Sequence, residues 1–166
     1  MSEATKVRSI RLEALGDPAA DIAFLETREQ AERQSDDFWR ERTAGAALSE
    51  SAAQFVAEAG RDWVGTVTVL RPEPGSTDYF GRQARAGRAL VVSVYVRPSH
   101  RGRGALHALV DAAAQWALDA GEEELQLDVH EHNARARRAY ARLGFVPTGR
   151  TSEGPNGVEL EMVRAL

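Results

Sequence analysis

A chain of 166 residues with no cysteine is long enough to bury one substantial core, and it lacks any disulfide, thiolate metal ligand or cysteine nucleophile. Its 21 basic and 25 acidic residues leave a net charge of −4, which is the wrong sign for a general nucleic-acid binder. The opening "MSEATKVRSIRLEAL" has no apolar leader core, and no run reaches the ~18 residues of a membrane span. The expectation is a single cytoplasmic domain over residues 1–166 with no membrane or nucleic-acid partner.

In chain order, "VRSIRLEAL" (7–15) alternates and predicts a first strand. Residues 17–28 and 36–47 read as helices, the first with Asp17 as N-cap and Pro18 at the first helical position. "AAQFVAEAGRDWVGTVTVL" predicts a hairpin turning between Ala59 and Asp62. Residues 71–87 hold two prolines and three glycines, a loop long enough to suggest function or mobility. "ALVVSVYV" (89–96) predicts a central strand, with Leu90, Val92, Val94 and Val96 on one face and Val91, Ser93 and Tyr95 on the other. A helix follows with Leu106, Leu109, Val110, Ala113, Trp116 and Ala120 on one stripe, ending at Gly121. "LQLDV" is a strand and "NARARRAYARLG" a helix capped by Asn133 and ended by Gly144. "FVPTGR" and "GVELEMV" are closing strands joined by the turn-rich "TSEGPNG". The sum is an α+β domain, a mixed sheet with helices packed on it.

The junction between the central strand and the long helix is unusual. Helix starts carry Ser, Thr, Asp or Asn to satisfy exposed N–H groups, whereas this one reads Arg101-Gly102-Arg103-Gly104-Ala105-Leu106. Glycine lets the backbone approach a ligand, and the helix N-terminus carries about half a positive charge. With Arg97, His100, Arg101 and Arg103 crowding the turn, the pattern describes a phosphate or pyrophosphate site in which the ligand replaces the cap. Solvated arginines and a water-capped helix are the alternative. The turn lacks the Lys-Ser/Thr of a GxxxxGK[ST] loop, and a dinucleotide GxGxxG would need a glycine at His107.

"VRPSHRGRGALHALV" resembles the acyl-CoA segment of the GNAT superfamily of N-acetyltransferases, [RQ]-x-x-G-x-[GA], with Arg101 and Gly104 matching and Leu106 standing where a small residue is usual. "LDVHEHNARARRAYARLGFVPTG" resembles that family's N-x-x-A-x-x-x-Y-x-x-x-GF segment through Asn133, Ala136, Tyr140, Gly144 and Phe145. The resemblance covers most of the chain. It implies a mostly antiparallel sheet of six to seven strands, splayed between the fourth and fifth, with about four helices. It also implies acetyl-CoA as cosubstrate, no metal, an amine acceptor and a monomer or homodimer. In family terms Val94, Tyr95 and Val96 would line the pantetheine arm, and a backbone N–H near Val94 or Tyr95 would polarise the thioester carbonyl. Arg101, Gly102, Arg103, Gly104, Ala105 and Leu106 would hold the pyrophosphate. Arg137 or Arg138 would reach the adenosine 3′-phosphate. Tyr140 would protonate the leaving thiolate or hold its sulfur, and Asn133 on the same helix face would assist or simply cap.

No base is evident. Ser93 stands where many relatives carry Glu, and Asp128 and His130 lie on the face opposite Leu127, within reach through water. His130-Glu131-His132 reads as a polar strand end rather than a metal site. The acidic "ETREQAERQSDDFW" (26–39) offers a surface for a cationic acceptor. The expected activity is acetyl transfer from acetyl-CoA to a primary amine of a small molecule or protein. The alternative is a coenzyme A-binding module or sensor without transfer.

Overall fold

The computed structural model describes residues 2–166. Where alternation predicts a strand over 7–15, the chain forms helix α1 (Glu3–Ala14). Ser2 caps it by accepting the Thr5 N–H at 3.3 Å, and Glu3 sits in the first turn, where the helix dipole favours an acid. Val7, Ile10 and Ala14 recur at helical spacing and are all buried, so a period of three to four overrides the apparent alternation.

The helix expected over 17–28 is instead a short 3-10 turn, Ala20–Ile22, followed by α2 (Arg28–Glu32). The Asp17 carboxylate accepts the Ala19 N–H at 3.0 Å, a local bond that competes with helix. A Thr27–Gln30 capping box then starts α2 afresh. Helix α3 (Asp36–Leu48), capped by Ser35, runs one residue beyond the expected segment.

Six strands follow: β1 (Ala52–Ala59), β2 (Asp62–Leu70), β3 (Arg88–Val96), β4 (Glu124–His130), β5 (Val146–Gly154) and β6 (Gly157–Ala165). They form one mixed sheet in the order β1-β2-β3-β4-β6-β5. Only β3 and β4 run parallel, joined by the crossover helix α4 (Ala105–Asp119), as a parallel pair requires. Helix α5 (Ala134–Arg142) links β4 to β5. The "TSEG" half of the expected turn belongs to β5, and Gly154 pairs with Gly157 across a two-residue hairpin. The main core lies between the sheet and α4, where Val67, Val91, Leu109, Val110 and Leu127 pack with Phe145. On the other face, Ile10 and Ala14 of α1 cover Tyr95.

One irregularity in β3 positions everything else. Thr68 pairs with Val92 but Thr66 pairs with Tyr95, so Ser93 and Val94 together stand opposite Val67 in a bulge. Ser93 has φ 54°, the only non-glycine in the left-handed region among the described residues. The extra residue reverses the alternation. Ala89 and Val91 face the α4 core before it, Val96 faces it afterwards, and Tyr95 turns to α1. Leu90, Val92, Val94 and Val96 therefore do not share a face as simple alternation predicts. The β3–β4 ladder ends at Leu90 and Gln126, and beyond it the strands diverge. This is the expected splay between the same two segments, counted as third and fourth strands because α1 is not a strand.

Candidate active site

Between the diverging strands opens a cleft of about 1290 Å³, above the 300–1,000 Å³ usual for small-ligand sites. Its walls come from both faces of the sheet. Gly102, Gly104 and Tyr140 line it, as do Phe24, Tyr79, Phe80 and Glu159. From Val91 to Val96 the β4-facing edge of β3 has no strand partner, so its free N–H and C=O groups offer a ladder to an extended ligand.

Helix α4 starts at Gly104, φ 89°, with no side-chain cap, and Gly102 has φ 72°. A Cβ on either would touch nothing within 4 Å. Glycine is thus required by backbone conformation, worth about 1–2 kcal/mol per left-handed residue, and the space above it is open. Among the described residues, none of the backbone N–H groups from Gly102 to His107 has a hydrogen-bond partner. The first bond back to the turn is Ala108 N–H to Gly104 O at 3.0 Å. Six adjacent free donors at a helix N-terminus suit a pyrophosphate. Leu106 is partly buried against the main core while also lining the cleft. Arg103 and Ala105 belong to the same turn but are not part of the cleft wall.

The arginines are distributed differently from expectation. Arg97 grips Glu13 of α1 through two bonds of 2.7 and 2.8 Å. Arg101 donates to Val96 O at 2.8 Å and to the buried Asp17 carboxylate. Burial pushes the Asp17 carboxyl up, but the Ala19 N–H and Arg101 outweigh it and hold the group below the usual carboxylate range. Arg11, Arg42 and Arg101 line the cleft too, and further cationic lining comes from α5, where Arg135, Arg138 and Arg142 recur along one stripe. None of the three has an ion-pair partner among the described residues. The spacing of arginines in "RARRAYAR" signalled this stripe. Arg137 turns away to donate to Glu131 O at 3.1 Å.

Tyr140 is half-buried on the same helix, its ring set edge-on to Phe145 with centroids 5.8 Å apart. Its hydroxyl has no partner among the described residues and opens on the cleft. Burial pushes its pKa to about 12, with Arg135 opposing. Asn133 is engaged at both ends: Oδ1 accepts the Ala136 N–H at 3.1 Å and Nδ2 donates to Ile22 O at 3.3 Å. The Tyr95 hydroxyl donates to Glu13 at 3.2 Å, leaving only its backbone for the cleft. Val94 and Val96 line the cleft, as does Ser93 at the bulge.

Asp128 is gripped by Arg82 from the 71–87 loop, at 2.8 and 2.7 Å, and accepts the Tyr79 hydroxyl at 3.2 Å. The loop therefore straps the polar face of β4. His130 is buried, with Nε2 facing Asn156 O at 3.0 Å and Nδ1 facing the His132 N–H at 3.2 Å. That pattern fits a neutral Nε2–H tautomer with both nitrogens occupied. No cluster of three or more His, Asp or Glu suited to a metal occurs among the described residues. Sequence reasoning missed Glu159, which lines the cleft on β6 directly opposite His130.

Known proteins share this architecture. The chain is 37% identical over 79 residues to streptothricin acetyltransferase of Streptomyces lavendulae, covering 48% of this chain and 42% of that protein. It is 34% identical over 105 residues to human N-acetyltransferase 8B, covering 63% and 43%. The chain thus matches less than half the length of these curated relatives. The PaiA N-acetyltransferase of Thermoplasma acidophilum, solved in complex with coenzyme A, superposes with a TM-score of 0.69 at 16% identity over 99% of this chain and 93% of that one. Residues 18–145 match the Acetyltransferase (GNAT) family, a span that takes in both the uncapped turn and Tyr140. With sheet, splay and sequence in agreement, the chain belongs to the GNAT family of acetyltransferases.

Proposed function

We propose that the protein transfers an acetyl group from acetyl-CoA to a primary amine by direct attack on the thioester. The observation that carries this is the row of six unpaired N–H groups from Gly102 to His107 beside the free edge of β3. The turn binds the pyrophosphate, Arg138 and its neighbours Arg135 and Arg142 attract the remaining phosphate, and the β3 edge pairs with the pantetheine amides. Backbone N–H groups released by the Ser93 bulge polarise the carbonyl, acting as fixed dipoles that need no reorganisation during reaction. The acceptor nitrogen bonds to the carbonyl carbon, the C–S bond breaks, and the sulfur leaves as a thiolate.

Tyr140 meets that sulfur. A thiol has a pKa near 8.5 and Tyr140 about 12, so full transfer of the phenolic proton is uphill by roughly 5 kcal/mol. Tyr140 therefore acts by holding the thiolate with a charge-assisted hydrogen bond, and the sulfur's proton comes from the acceptor nitrogen.

Thiol release from acetyl-CoA across a panel of small amines, peptides and aminoglycosides tests the proposal. Release with at least one acceptor is expected, together with a thermal shift on adding acetyl-CoA, since a ligand at 100 times its Kd stabilises by about 2.7 kcal/mol. A second reading, a coenzyme A-binding module, is favoured by the arginine pairing of Asp17, Glu26 and Asp128, which leaves few groups free for proton transfer. A thermal shift without thiol release from any acceptor would support it.

A further inference from the structure

Four carboxylates line the cleft: Asp17, Glu26, Asp128 and Glu159. The first three are neutralised, by Arg101, by Arg11 at 2.9 Å and by Arg82. Glu159 alone has no ion pair or hydrogen bond among the described residues. A carboxylate held by a guanidinium through two bonds is a poor proton acceptor, because protonation would break the pair.

We propose that Glu159 is the proton acceptor of this enzyme, receiving the amine as an ammonium ion and taking its first proton. This rests on the acetyl-transfer reading above.

Every group around Glu159 leaves that role to it. On β4, His130 stands opposite with both ring nitrogens occupied, and Asp128 is occupied by Arg82 and Tyr79. On β6, Glu161 accepts from Thr148 at 2.9 Å and lies 3.5 and 3.6 Å from Arg82 and Arg88. On β5, Ser152 is the register partner of Glu159 and its hydroxyl accepts from Arg82 at 3.3 Å. Burial raises the Glu159 carboxyl above the usual range, with Asp128 adding to the rise, the direction a proton acceptor needs.

The proton balance is complete without any further reagent. An ammonium ion gives one proton to Glu159, which passes it to solvent, and the nitrogen lone pair attacks the thioester carbon. The nitrogen of the resulting intermediate is far more acidic, and its second proton neutralises the departing thiolate. Amide and free thiol are the products. Phe24, Tyr79 and Phe80 line the same cleft as Glu159, and Tyr79 reaches the β4 face opposite Glu159 through Asp128, so the favoured acceptor is a cationic amine on an apolar or aromatic body.

The test compares wild type, Glu159→Gln and Glu159→Asp for kcat/KM against pH, using an acceptor that the panel identifies. The wild-type profile should show an acid limb; Glu159→Gln should move that limb up towards the acceptor amine's own pKa and lose about 10²- to 10⁴-fold in rate, and Glu159→Asp should recover part of the rate. All three should show the same acetyl-CoA-induced thermal shift, which certifies their folding. If Glu159→Gln keeps the acid limb in place and the rate while wild type transfers acetyl, Glu159 is not the base and the acetyl-transfer reading stands. If wild type transfers to no acceptor, that reading falls first, and this one with it.

Discussion

Tyr140 shows how one residue's environment narrows its chemistry. Its ring packs against Phe145 and its hydroxyl is left unpartnered at the cleft, so its proton is available for a hydrogen bond and hard to remove. Replacing it with Phe should lower turnover about 10- to 100-fold, the range for losing a hydrogen bond to a charged group, and leave the acetyl-CoA thermal shift intact; unchanged turnover would remove Tyr140 from the reaction. Its place on the cleft was legible from the N-x-x-A-x-x-x-Y pattern, and so was the capping by Asn133. Glu159 was not, because "GVELEMV" reads as an ordinary strand, and its significance depends on three arginines distant in sequence occupying the other carboxylates. The ion pairs that hold the Arg97 and Arg101 side chains were hidden for the same reason: a turn's composition does not reveal that Glu13 and Asp17 fold back to meet it.

At the scale of elements, the uncapped start of α4 answers to backbone geometry. Gly104→Ala should cost about 1–2 kcal/mol in urea unfolding and weaken coenzyme A binding as well, since it disturbs the helix-entry N–H groups. A loss of stability with unchanged affinity would detach those groups from the cofactor. Leu106, in a position where a small residue is usual, is accommodated by packing against the main core. The hairpins and the long helix were visible as periodicity and punctuation, and the splay came only with the family resemblance. Helix α1 was not, since nine residues of "VRSIRLEAL" support either period and only burial against Tyr95 and Trp39 decides. The Ser93 bulge was not legible, because a strand apolar on both sides of one serine looks the same with or without an inserted residue.

Across the whole molecule, the N-terminal segment is bound to the site by Glu13–Arg97 and Asp17–Arg101. Asp17→Asn should lower stability at pH 7 by about 1–3 kcal/mol, the range for stranding a charged partner. The Asp17 carboxyl sits below its usual range in the folded state, so its contribution is present above the unfolded value near 4 and is lost as pH falls through the folded one. The wild-type and Asp17→Asn stability curves should therefore converge below about pH 4 in denaturant titrations. A constant gap down to pH 2 would mean the pair contributes through packing alone.

The passage through the sheet also governs traffic. Because β3 and β4 part company after Leu90, the cleft is lined from both faces of the sheet, and the proposed donor and acceptor can each approach from a face of its own. Neither needs to leave before the other arrives, and neither product is trapped behind its partner. On the proposed acetyl transfer, this geometry serves a ternary complex, with the acyl group handed directly from one visitor to the other and never parked on the protein. Direct handover removes any need for a side chain that can carry an acyl group, which accords with a chain that has no cysteine.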